Sequence, residues 1–269
     1  MKKFFFSTIY IFFSITNQLI SQNNENSEIY PWLSLIQIEI NSILPRTDLK
    51  ETIPIRQTVN NYNYYNYDQA TITSTTLGHA SSLKAELFHK VYKIGISTGI
   101  KYLYFQSNIK GKVSNTANYF YFRYFFEGQE TRFARVKNLN EINHYVTIPI
   151  DVRVYFLSRK KIGLFARLGT DLGFNIYNKL GVVFYNPEMN PTKNEVLNIL
   201  DKTQQKFYAT INTSVGFRYN YIDKINFYFE VYFPSKYIGS DYFVLSDVKY
   251  FSGIKASVQM PLTLLLNRK

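Results

Sequence analysis

Three histidines, a few nearby serines and a set of charged residues spaced by twos are the groups in this chain that could do chemistry. His79 with Ser81 and Ser82 is the one arrangement that sets a nucleophile near a base. A serine nucleophile also needs its imidazole oriented by a third group, and the sequence places no such residue beside this trio. An ordinary polar strand end is the expected reading. His89 beside a turn and His144 at a strand start read as interfacial or solvated side chains. The chain has no cysteine, which removes thiol chemistry, disulfides and a lipoprotein attachment site. No close His/Asp/Glu spacing suggests a metal site, and no glycine-rich phosphate loop is present. The expectation is a protein that is not an enzyme and carries no cofactor.

The charged residues follow a different rule. Over 145–157, Val146, Ile148, Ile150, Val152, Val154 and Phe156 share one face, while Thr147, Asp151, Arg153 and Tyr155 share the other. A period of two is a β-strand. Alternating runs also occupy 32–40, 82–89, 94–105, 162–177, 207–221, 225–233 and 248–262. Ile162, Leu164, Ala166, Leu168, Leu172, Phe174 and Ile176 form the apolar set of the run at 162–177. With no helices to cover an apolar exterior, the arrangement that satisfies every strand is a barrel in lipid, apolar outward and polar inward. Short connections near residues 91–93, 158–161 and 222–224 alternate with long ones at 45–80, 107–142, 178–206 and 235–247. That alternation matches short periplasmic turns and long external loops.

The fold class expected is all-β: an eight-stranded antiparallel up-and-down transmembrane β-barrel with long external loops. Ten strands are the alternative, with 118–126 and 131–137 as an extra hairpin, expected to project above the membrane. The inward set comprises Lys84, Glu86, Lys101, Asp151, Arg153, Arg167, Asp171, Arg218, Glu230, Lys249 and Lys255. Same-face partners across a hairpin suggest lumen charge pairs Asp151 with Arg167, Arg218 with Glu230, and Glu86 with Lys101. Glycines 95, 99, 163, 169, 173, 216 and 253 fall on inward positions and would make room for long charged neighbours. Pro149, inside a run, predicts a bulge or a locally open hydrogen bond. A salt-bridged plug is the expected lumen; an ion path or ligand site is the other reading.

Composition agrees. The chain has 269 residues, with 24 Tyr and 23 Phe against a single Trp, a surplus suited to aromatic girdles at two membrane interfaces. Its mean hydropathy of −0.19 fits strands that are half polar. Beyond the N-terminus no apolar run reaches the ~18–20 residues of a membrane helix. The net charge of +12 comes from scattered basic residues, so anionic lipid headgroups are expected as counter-charge and nucleic acid is not. Lys2 and Lys3 ahead of an apolar stretch read as a signal peptide over 1–21, cleaved near Ser21 or Gln22, with an uncleaved anchor as the alternative. A flexible segment at 22–31, the outer-membrane barrel at 32–262 and a tail at 263–269 complete the expected organisation.

Three segments carry a family resemblance. Ser82-Leu-Lys-Ala-Glu-Leu-Phe with Ile94-Gly-Ile-Ser-Thr-Gly-Ile-Lys-Tyr resembles an early hairpin, and Tyr145-Val-Thr-Ile-Pro-Ile-Asp-Val-Arg-Val-Tyr-Phe resembles a "Y-x-x-I-P-L" strand. Gly163-Leu-Phe-Ala-Arg-Leu-Gly-Thr-Asp-Leu-Gly is similar to the glycine-containing strand that follows. Together they resemble the outer-membrane β-barrel family of Bacteroidetes, with its PorT-like branch, over roughly residues 80–235. The resemblance implies a Gram-negative outer-membrane location and hardly implies an activity. Some members serve secretion or gliding machinery.

The remaining functional candidate is the aromatic segment Tyr119, Phe120, Tyr121, Phe122, Arg123, Tyr124, Phe125 and Phe126. Aromatics with an arginine are enriched where proteins bind partners; packing within the loops is the other reading. Residues 193–202 carry Val196, Leu197 and Leu200 at helical spacing and predict a short helix over the rim. Expected function is that of an integral outer-membrane barrel with a charge-filled, non-conducting lumen, acting through external loops or within an envelope assembly. Its expected partners are outer-membrane lipid and other envelope proteins. A barrel-borne lipid-modifying enzyme and a narrow solute channel are the alternatives.

Overall fold

A computed structural model describes residues 32–51, 53–56, 71–112, 118–124, 132–159, 161–200, 206–222, 225–239 and 242–263. The expected signal peptide, the segment at 22–31, Phe125, Phe126 and residues 264–269 lie outside them. The described residues form ten strands: β1 Trp32–Leu49, β2 Ile55–Arg56, β3 Thr71–His89, β4 Ile94–Lys112, β5 Phe120–Tyr124, β6 Arg132–Ser158, β7 Ile162–Phe184, β8 Phe207–Ile222, β9 Ile225–Tyr237 and β10 Ser246–Pro261. Every pairing is antiparallel. The order β6-β4-β3-β1-β10-β9-β8-β7 returns to β6, so eight strands close a ring. β5 pairs with the far end of β6, and the two-residue β2 pairs with β5. The extra hairpin is therefore a flap on the ring, not part of its wall.

Closure removes every edge within the wall, so the pleat decides what faces where. In β6, Ile148, Ile150, Val152, Val154 and Phe156 are exposed outward, while Thr147, Asp151, Arg153 and Tyr155 are buried inward. All eight wall strands repeat the pattern. Ile38 and Ile40 on β1, Leu83 on β3, Ile96 and Ile100 on β4, Leu168 and Leu172 on β7 point out. Val215 and Phe217 on β8, Phe229 and Val231 on β9, and Ile254 on β10 complete the belt. A continuous apolar belt around a closed ring is far larger than the patches water tolerates.

Aromatic contacts mark both edges of that belt. At the short-turn end the His89 ring meets Trp32 and Tyr92, each at 4.6 Å between centroids. At the other end the His144 ring meets Tyr102 at 5.8 Å, Tyr104 at 5.3 Å and Tyr177 at 5.1 Å. The rise along β6 from His144 to Phe156 is roughly 30 Å for a strand tilted as in such barrels. Rings with polar tips at this spacing suit the two interfaces of a bilayer.

Beyond the His144 girdle the strands continue, contrary to the sequence expectation of long loops. β1 extends to Leu49, β3 begins at Thr71, β4 reaches Lys112, β6 begins at Arg132 and β7 reaches Phe184. The outward residues there turn polar (Thr73 and Thr75 on β3, Asn140 on β6), so the apolar alternation stops although the hydrogen-bonded ladder does not. A 3₁₀ segment at Pro187–Thr192 opens with the Asn186 side chain accepting from the Glu188 amide at 3.4 Å. It leads into helix α1, Lys193–Leu200, which buries Val196 and Leu200 as the spacing predicts.

Pro149 sits without a bulge. The β4–β6 pairing runs to Thr98 opposite Ile150 and resumes at Lys101 opposite Thr147 in unchanged register, leaving the ladder open beside the proline. Glycines at inward positions leave room for the acid side chains beside them. A Cβ on Gly169 would lie 2.0 Å from an Asp151 carboxylate oxygen, and one on Gly95 would lie 2.1 Å from that of Glu86.

Candidate functional site: a charge-filled lumen and its cap

The inward residues of β6 trace the interior from end to end. Tyr155 comes first, packed with Phe165 and Tyr228 in an aromatic layer near the short turns. Arg153 and Asp151 follow in a layer of ions. Tyr145 belongs to a second aromatic layer, Glu141 lies beyond it, and Leu139, Val136 and Ala134 enter an apolar core at the far end.

Among the described residues, the ion layer holds five buried cations, Lys84, Lys101, Arg153, Arg167 and Lys255, and five buried anions, Glu39, Glu86, Asp151, Asp171 and Glu230. Each ion meets the opposite sign. Glu39 is 2.6 Å from the Lys84 ammonium, 2.9 Å from that of Lys255 and 3.8 Å from the Arg167 guanidinium. Glu230 is 2.7 Å from Lys255, 3.1 Å from Arg167 and 3.7 Å from Arg153. Asp151 bridges Lys84 and Arg167, Asp171 takes Lys101 at 2.7 Å, and Glu86 takes Arg153 at 2.9 Å. Gln37 and Gln259 extend the network, accepting from Arg153 and donating to Glu86 respectively. The Arg153 guanidinium lies over Tyr228 at 4.4 Å and Phe165 at 4.9 Å, joining the ions to the aromatic layer.

The pairings differ from those expected across hairpins. Arg167 does reach Asp151, at 3.4 Å, but diagonally: it stands opposite Arg153, because the hairpin closes at Ser158 opposite Gly163 and Phe156 is skipped as a bulge. Glu86 and Lys101 do not meet. The tight turn between His89 and Ile94 sets Glu86 opposite Ser97 and Lys101 opposite Ser82, so each finds its partner across the lumen. Arg218 and Glu230 also separate. Glu230 turns toward Arg167 and Lys255, while Arg218 donates to the Ser158 hydroxyl and lies 5.0 Å over Tyr155. Lys249 is not inward at all. It is the extra residue of a bulge where Arg46 pairs with Tyr250 and Thr47 with Val248, and it meets Asp48 outside at 2.5 Å.

Two central residues were missed from the sequence. Glu39 stands at the hub, and its signal was the alternation of Gln37, Glu39 and Asn41 against Ile36, Ile38 and Ile40. Glu141 had no such signal, since it falls in a stretch read as loop. It lies beyond the girdle and accepts the backbone N–H of Val244 at 2.8 Å and of Leu245 at 2.9 Å, with Asn143 donating at 2.6 Å. These bonds pin residues 242–245, from the β9–β10 connection, into the barrel mouth. There Tyr242 and Phe243 pack with Phe105, Tyr145, Tyr208 and Phe251, and the Tyr145 hydroxyl donates to the Tyr242 carbonyl at 2.7 Å. Val244 and Leu245 close the outer core with Phe120, Phe122, Tyr124, Val136, Val196 and Leu200.

Burial holds the Glu141 carboxyl above the ordinary carboxylate range, against the opposing pull of its hydrogen bonds and of the Lys50 charge. A raised folded value means the folded state favours the protonated acid. That contribution to stability is complete below the ordinary glutamate value of about 4.3 and is lost as pH rises through the higher folded value. The two turn amides pull the other way and hold the ionised form. The folded barrel is therefore expected to be more stable at mildly acidic than at neutral pH. Unfolding in lipid vesicles across that range reports this, and Glu141→Gln should remove the dependence.

The aromatic segment divides by face. Phe120, Phe122 and Tyr124 are core residues of the cap, not a binding surface, because strand alternation turns them inward. Tyr121 and Arg123 face out on β5, and Tyr119 precedes them. His79 and Ser81 face outward on β3, whereas Ser82 points inward and donates to Glu39 at 2.8 Å. The pleat thus removes Ser82 from the one catalytic-looking trio and leaves His79 and Ser81 on the outer face. Among the described residues no cluster of His, Asp and Glu is arranged to hold a metal, and no helix is long and apolar enough to cross a membrane.

A closed ring, an apolar belt between two aromatic girdles and a buried polar interior decide the class. The chain is a transmembrane β-barrel. No family model and no curated protein matches it. Among solved structures the barrel is similar to the outer membrane protein OprG from Pseudomonas aeruginosa, at 9% identity and a TM-score of 0.44, covering 85% of this chain and 96% of that one. It is similar to Neisserial surface protein A at 7% identity and a TM-score of 0.34, covering 85% and 97%. The transport unit of the autotransporter AIDA-I from Escherichia coli aligns at 6% identity and a TM-score of 0.24, covering 89% and 91%. The barrel assignment rests on ring closure and the belt, not on these likenesses.

Proposed function

We propose that this chain is an outer-membrane barrel that neither conducts nor catalyses, and that it works through its cap as a component of an envelope assembly. The observation that carries this reading is the sealed interior. Five cations and five anions fill the lumen under an aromatic stopper that is hydrogen-bonded in place. An ion path would need hydrated charge, and here each charge is spent on a neighbour. Ser82 turns inward to Glu39, which leaves the lipid-modifying alternative only Ser81 beside His79 on the outer face. Outer-membrane lipid around the belt and other envelope proteins at the cap are the proposed partners, with no role for nucleic acid. Membership of the PorT-like branch is part of this proposal and is supported by the three resembling segments.

Planar-bilayer recording tests the reading. The purified barrel is expected to add no conductance steps to the lipid baseline at any applied voltage. Steady, reproducible openings of the unmodified protein would sink it in favour of the narrow channel.

A further inference from the structure

We propose that the outward face of the β5–β6 flap binds a phosphorylated saccharide, the sugar core of an outer-leaflet glycolipid; this rests on the outer-membrane reading. Across the flap, Tyr121 stands opposite Arg135 and Arg123 opposite Phe133, so an aromatic ring faces a guanidinium in each pair. The Arg135 guanidinium lies 5.4 Å from the Tyr119 ring and 6.0 Å from the Tyr121 ring. Tyr119 in turn packs at 4.9 Å on Tyr185 of the neighbouring chain segment after β7. Held between rings, the planar fork keeps its N–H edge for a bidentate oxyanion such as phosphate. The ring faces beside it offer apolar area to the C–H faces of a sugar.

These rings pack on one another outside the cap core, Tyr121 meeting Phe133 at 6.5 Å between centroids. The opposite face of the same two strands, Phe120, Phe122, Ala134 and Val136, is already fully buried in the cap core. Phe133 and Tyr185 nonetheless remain substantially exposed. Charge points the same way: the lumen ions balance, so the net charge of +12 resides elsewhere. Among the described residues the outward positions of the flap carry Arg123 and Arg135 and no carboxylate. The connecting loop with Glu127 and Glu130 lies outside those residues. Height completes the argument. Nine residues of tilted strand separate Arg135 from the His144 girdle, on the order of 20 Å. That is above the acyl chains and at the level a headgroup oligosaccharide occupies.

The test uses the full barrel in detergent and two probes, the phosphorylated core oligosaccharide released from rough lipopolysaccharide and the same material after dephosphorylation. Calorimetric titration is expected to show binding of the phosphorylated probe. Arg135→Ala combined with Tyr121→Ala should weaken it at least about tenfold, as should dephosphorylation. Equal affinity in the double variant, equal affinity for the dephosphorylated probe, or no binding by the unmodified barrel would each overturn the proposal. Heat-modifiable gel migration of the same samples keeps the two readings apart. A preserved shift with failed binding counts against the patch alone, whereas a missing shift in the unmodified protein counts against the membrane barrel itself.

Discussion

Replacing Glu39 by glutamine is expected to destabilise the folded barrel by about 3–5 kcal/mol, the usual cost of stranding buried partners of an ion network. Glu39 serves Lys84, Lys255 and Arg167 at once. Without it, five buried cations would face four buried anions in the ion layer. Urea unfolding in lipid vesicles, followed by the loss of heat-modifiable migration, measures the change. The compensating variant makes the test specific. Lys255→Met added to Glu39→Gln restores balance and should recover at least half the loss, since Lys255 then no longer needs an acid. If the single substitution proved neutral, the lumen would have to be hydrated enough to screen its charges, and the sealed-interior reading would fall with it.

Phe243→Ala is expected to release the stopper while leaving the barrel intact. Its ring is fully buried and meets Phe105 edge-on at 5.4 Å between centroids. Truncating a buried phenylalanine costs about 3–5 kcal/mol, and that loss falls on a short turn held otherwise by Glu141 and the Tyr145 hydroxyl. Protease cleavage between residues 238 and 245 should become fast in the variant and remain slow in the unmodified protein. Heat-modifiable migration should not change, because the pairing of β10 with β1 and β9 does not depend on the turn. Loss of that migration would mean that the stopper is part of the barrel's stability and not a separate cap.

How far the sequence reveals this molecule depends on what each feature answers to. Inward and outward assignment was legible because the pleat has a period of two and lipid demands one apolar face. The run at 145–157 declares its own orientation, and so do the glycines beside Asp151 and Glu86. The lengths of the strands were not legible. Once β3, β4 and β6 pass the His144 girdle, nothing outside requires apolar residues, so Thr73, Thr75 and Asn140 resemble loop although they sit in continuous ladders. The division of Tyr119–Tyr124 into core and surface could have been read from the same period of two, but without the partner strand nothing said that the flap had a core behind it.

Partners inside the lumen are a different matter. Hairpin register sets which residues stand side by side, and closure of the turn at Ser158 opposite Gly163, followed by a one-residue bulge at Phe156, is enough to set Arg167 opposite Arg153 and not Asp151. Beyond that, a narrow ring lets long side chains reach across it, so Glu86 meets Arg153 and Lys101 meets Asp171 from strands that no turn connects. Alternation along one strand determined that these residues face inward. Closure of the ring decided whom they meet, because curvature brings together residues that sequence distance and hairpin pairing keep apart. The docking of residues 242–245 onto Glu141 belongs to the same class: it depends on a contact more than a hundred residues away in the chain.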